Sequence, residues 1–153
     1  MTTSALVVAP QDQGRPLCVV GEHITLLAAS EAAGGHEIFL QTGPAGAGPI
    51  PHSHPWDESF YVTLGEVHFG IESDLLVALP GTLVHLSAGT THWFRWGADG
   101  GAMASVTSGR RGFEDVRRNR SRDSGRSPGC QQAHRDLHPA WTDCQGVSRT
   151  WRA

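Results

Sequence analysis

Between Pro16 and Ser108 no apolar run reaches helix length before a turn signal interrupts it. The runs "PLCVV", "HITLLA", "HEIFLQT", "ESFYVTL", "EVHFGI", "LLVAL", "TLVHL", "HWFRW" and "AMASVTS" are short and mostly rich in β-branched and aromatic residues. They are divided by signals such as "GPAGAGP", "ESD", "LPG" and "SAGT". Such runs read as strands, and turn chemistry at this spacing suits a sandwich or a small antiparallel barrel. There is no βαβ alternation and no internal repeat. The expectation is an all-β fold in one domain, since 153 residues can bury a sizeable core without disulfides or a structural metal.

Charge divides the chain into two unlike parts. Every basic residue is an arginine, and ten of the twelve follow residue 109, so residues 1–109 carry a formal charge of −8 and residues 110–153 carry +5. We therefore expect a flexible N-terminus over residues 1–15, a barrel over 16–109, and an irregular basic tail over 110–153. Arg, Ser, Gly, Gln and Asp crowd "RRNRSRDSGRSPGCQQAHRD", a composition that buries too little apolar surface to offset chain ordering. The tail lacks interleaved stacking aromatics and follows an acidic body, so no nucleic-acid partner is expected. Cys18, Cys130 and Cys144 form no CxxC pair and are read as free thiols in a reducing compartment. With no signal-peptide pattern and no membrane-length apolar run, the expected location is cytoplasmic and no membrane partner is expected.

The chemistry is concentrated in "PHSHPWDESF". Residues i and i+2 of an extended strand share a face, so His52 and His54 can present two imidazoles with Cβ atoms roughly 7 Å apart. Glu58 opens the next strand and can close a third side, and His92, after "SAGT", can supply a fourth ligand. Three imidazoles and a carboxylate suit iron, manganese, nickel, cobalt, copper or zinc and not calcium or magnesium. Any one of these histidines alone is more often a surface or core residue. His68 is expected to face outward and His85 to point at solvent or at the other sheet, and His23 and His36 carry no motif.

These residues resemble the cupin superfamily. Gly46, His52, His54, Glu58 and Gly65 meet every spacing of its first motif; Gly81, Gly89 and His92 meet the second, where Ser87 replaces the usual proline and Trp96 the usual asparagine. The resemblance implies a jelly-roll barrel, often dimerised through exchanged N-terminal strands, with one divalent metal ion held by His52, His54, Glu58 and His92. Glu58 could also leave the metal to act as general base. By strand parity Phe60, Val62, Phe94 and Trp96 share the faces of the ligands and predict a narrow apolar pocket, with Trp56 at its rim.

The resemblance further implies a small-molecule substrate and a dioxygenase of the quercetin dioxygenase-like branch, with iron as the first expectation for the metal. Two alternatives use the same residues: a metal-dependent cyclase or isomerase, and a non-catalytic ligand-binding module. Similar cupins continue past "GFED" into amphipathic helices, and here the pattern stops after Val116. Reading permitted codons one base forward from Val116 restores helix-period text, and the Trp141 codon followed by any threonine codon forces a glycine at the expected helix stop. Residues after about 116 are thus expected to be frame-shifted.

Overall fold

The computed structural model describes residues 5–109. The basic tail, its frame-shift reading, Cys130 and Cys144 lie outside the described residues. The N-terminal segment has a short 3-10 turn at Pro10–Asp12, and all other regular structure is strand: β1 Leu17–Val19, β2 Glu22–Ala28, β3 His36–Gly43, β4 Glu58–Ile71, β5 Asp74–Ala78, β6 Leu83–Leu86 and β7 His92–Ser108. The all-β expectation holds. Among the described residues no helix is long and apolar enough to cross a membrane.

The strands form one antiparallel sheet in the order β1-β2-β3-β7-β4-β5, with β6 also paired to β4. It curls into a barrel because β4 and β7 are long and bent. "ESFYVTL" and "EVHFGI", expected as two strands, are one continuous strand, and "HWFRW" and "AMASVTS" are likewise one. Gly65 and Gly101, which punctuate the sequence like turn residues, are paired with each other inside these strands, beside register shifts at Val62/Leu64 and Gly65/Val67. The glycines bend the ladder without ending it. At Gly65, with φ +73°, a side chain would run into the backbone of Gly100 and Gly101, so the two strands cross closer than any Cβ permits.

Alternation of burial along the strands gives the barrel two apolar clusters. The larger joins Phe60, Val62, Val67, Phe69, Ala78, Val84, Leu86, Phe94, Trp96 and Met103; the smaller joins Val19, Ile24 and Phe39. Cys18, read as a free thiol, is instead disulfide-bonded.

Candidate metal centre

The "HSH" stretch is not part of a regular strand. It is an extended segment tied to the first residue of β7 by an isolated antiparallel bridge: His52 N–H donates to the His92 carbonyl at 3.0 Å and His92 N–H to the His52 carbonyl at 2.8 Å. His54 is held from the other side, its carbonyl accepting from Gly89 N–H at 2.8 Å. Ser87 in place of proline does not open this turn, because Thr90 N–H still bonds the Ser87 carbonyl at 3.1 Å. Glu58 enters from the start of β4, after Asp57 has accepted a bond from Ala88 N–H at 2.9 Å and exchanged two with Ser108. Arg95 donates to the Pro49 carbonyl and so fixes the segment that leads into His52.

Three imidazoles converge. Ring centroids lie 4.4 Å apart for His52 and His92, and 4.9 Å apart for His54 with each of them; one nitrogen from each of the three falls within 4.8 Å of the others. Glu58 Oε2 sits 3.4 Å from His54 Nε2 and 3.6 Å from His92 Nε2, so the carboxylate flanks two of the rings but falls outside the group that the three imidazoles form. The backbone selects the tautomers. His52 Nδ1–H donates to the Ile50 carbonyl at 2.8 Å and His92 Nδ1–H to the Thr90 carbonyl at 3.0 Å, leaving each Nε2 with a bare lone pair. His92 Nε2 is buried without any hydrogen-bond partner. A buried lone pair facing two other imidazoles and a carboxylate suits a transition metal ion.

Electrostatics fit a cation. Burial pulls the His92 pKa down, but the Glu58 carboxylate and the Thr90 carbonyl outweigh it and hold His92 above the usual imidazole range. At His52 burial wins, aided by the charge of His92, and the pKa falls below that range. The same Glu58 carboxylate that favours a proton on His92 favours a metal cation in its place once the ring is neutral.

Of the residues expected to line a pocket here, Phe60 meets the histidine cluster, whereas Trp96 lies over Gly43. Phe60, Val62, Phe94 and Trp96 are buried at or below 3 % exposure, and Phe60 meets Phe94 and His92 at 5.8 and 6.3 Å between centroids. Trp56 stacks on His54 at 4.7 Å with ring planes 9° apart. His85 lies outside, bonded to Ser59 at 2.9 Å, and His68 pairs with Glu66 on the surface. Sequence reasoning missed Glu22, Gln41, Ser105 and Thr107, four buried polar side chains of the interior. Parity carried the signal for Glu22, two residues before Ile24.

Residues 39–107 match the Cupin_2 family model, a cupin domain. None of the curated proteins matches the sequence. Among solved structures, KdgF from a Halomonas species is similar at TM-score 0.65 and 17 % identity, over 72 % of this chain and 99 % of that one. An RmlC-like cupin from Shewanella frigidimarina is similar at TM-score 0.64 and 18 % identity, over 74 % and 99 %. A putative ethanolamine utilization protein Q from Salmonella typhimurium is similar at 0.51 and 18 %, over 58 % and 70 %. At these identities the likeness is one of fold: the described strands form a cupin jelly roll.

Proposed function

We propose that the protein is a mononuclear metal-dependent enzyme of the dioxygenase type, acting on a small organic substrate with a hydroxyl or enol oxygen. The carrying observation is the buried, unpartnered Nε2 of His92, directed at His54 and Glu58 with its tautomer set by Thr90. His52, His54, His92 and Glu58 would hold one divalent ion, iron first among the candidates, which when bound supplies Lewis acidity and access to O2 chemistry. Glu58 Oε2, already within 3.4 Å of His54 Nε2, takes the proton that the substrate oxygen sheds. Phe60 and Phe94 exclude water from that exchange, and Trp56 keeps the plane of His54 in position by stacking on it. We read the working form as a homodimer.

The test combines elemental analysis of the purified protein with oxygen uptake by the iron-loaded form on a panel of flavonols and enediols. Wild type should hold close to one metal per chain, and His52→Ala and His92→Ala should hold almost none. Equal metal in all three, or none in wild type, would remove the site. Turnover without oxygen uptake would make the protein a non-oxidative cyclase or isomerase on the same ligands.

A further inference from the structure

The two apolar clusters of the barrel do not touch, and what separates them is polar. Directly paired residues of antiparallel strands share a face. One row across the inner face runs Phe60, Ser105, Phe39; the next runs Val62, Met103, Gln41, Ile24; on the other side of the first lie Glu58, Thr107 and Glu37. Thr107, Ser105 and Gln41 thus form a seam that starts beside Glu58. Beyond Gln41 the seam ends at Gly43, where a side chain would collide with the indole nitrogen of Trp96. Trp96 lies over this glycine with its Nε1 toward the Glu22 carboxyl, which is itself 2 % exposed.

Partners along the seam are incomplete. Gln41 Nε2 donates to Ser105 Oγ at 3.0 Å, and this bond leaves Gln41 Oε1 unpaired. Trp96 Nε1, Glu22 Oε2 and Thr107 Oγ1 are also buried without a partner of good hydrogen-bond geometry. Buried orphans of this kind cost roughly 1–3 kcal/mol each; Trp96 Nε1 and Glu22 face each other and answer one another in part, so it is above all the bare Gln41 Oε1 beside them that calls for an occupant.

We infer that Gln41, Trp96 and Glu22 form a second polar subsite, which receives an uncharged hydroxyl group of the ligand whose other end lies at the histidine cluster. The donor and acceptor inventory selects the group. Gln41 Oε1 only accepts and Trp96 Nε1 only donates, and a hydroxyl is a single group that answers both. A carboxylate would answer the indole but set its charge against Gln41 Oε1 and the nearby Glu58. An ammonium would find no use for the indole N–H, and a methyl would leave every orphan unpaired. Burial, with the nearby charge of Glu58, pushes Glu22 up to about 8 despite opposing help from Trp96 and Arg95, so Glu22 is a neutral acid at pH 7 that can donate or accept.

The subsite rests on the reading of the histidine cluster as a metal site, and the experiment separates the two. Calorimetry on the full-length, Ni(II)-loaded protein uses ω-hydroxy acids from 4-hydroxybutyrate to 8-hydroxyoctanoate, each against the alkanoate in which a methyl replaces the hydroxyl. At the chain length that spans the seam, the hydroxy acid should bind roughly tenfold tighter than its isostere. Gln41→Leu and Trp96→Phe, which keep side-chain bulk, should each shrink that preference to about threefold or less without changing metal content. Equal affinities at every length mean that ordered water alone fills the seam and overturn the subsite, as does a set in which no hydroxy acid binds. A preference that survives both substitutions also overturns it. Alkanoate binding that needs the metal, with no gain from the hydroxyl, refutes only the subsite; His92→Ala protein that still holds nickel refutes the metal reading instead.

Discussion

Glu58 acts on His92. The carboxylate at 3.6 Å raises the imidazole, so in metal-free protein His92 should titrate above an ordinary histidine, and Glu58→Gln should bring it down as burial takes over. Histidine ring NMR against pH reads both directions, and a His92 titration unmoved by the substitution would contradict the pairing. Because metal requires the neutral ring, metal affinity should weaken on acidification as His92 takes up its proton. Glu22 shows the opposite economy. Its folded pKa of about 8 lies above the unfolded value of 4.5, so folded Glu22 stays protonated while the unfolded chain ionises. Its contribution is whole below pH 4.5, declines as pH rises, and is lost by pH 8. Glu22→Gln should abolish that decline, and relative to wild type it should gain roughly 3–5 kcal/mol between pH 4 and pH 9 in denaturant titrations. Parallel wild-type and variant profiles would contradict this.

At the scale of elements, β4 and β7 do most of the positioning. Glu58, Phe60 and Val62 come from the first half of β4, His92, Phe94 and Trp96 from the first half of β7, and the strands stay paired across the bend at Gly65 and Gly101. The bend was the least legible part of the fold. Glycine in a sequence marks a turn and a bulge alike, and only the pairing of Gly65 with Gly101 distinguishes them. Gly65→Ala should cost roughly 3 kcal/mol or more, from both its positive φ and its collision with β7 backbone, measured as a lowered denaturant midpoint. A control at Gly46, also at positive φ but with nothing near its missing side chain, should cost less. The "HSH" segment is the counterpart error: a bridge to His92, not a regular strand, makes its two rings adjacent.

On the scale of the whole molecule, β5 is the exposed end of the sheet path. Leu75 is 80 % exposed and Val77 54 %, with Leu83 of nearby β6 at 64 %. An edge strand with unshielded apolar side chains invites pairing with another chain. Replacing Leu75 and Val77 by lysine should therefore reduce self-association in sedimentation velocity at high protein concentration, while the circular dichroism stays that of a β protein. The composition break after residue 109 belongs to this scale too. Sequencing the gene tests the frame-shift expectation, which fails if the codons after Val116 are incompatible with the alternative reading.

Short runs and turn chemistry determined an all-β chain, because they are properties of neighbours along the chain, and the resemblance to the cupin motifs named His52, His54 and His92 as residues that would meet. The tertiary structure decided the rest. The lone pair left on His92 depends on a bond to the Thr90 carbonyl. The polar seam depends on cross-strand pairing: Gln41 is 64 residues from Ser105, yet the two are bonded inside the barrel. Parity along one strand says which face a side chain takes, whereas its partners on that face are set by register between distant strands, and register is a decision of the folded sheet.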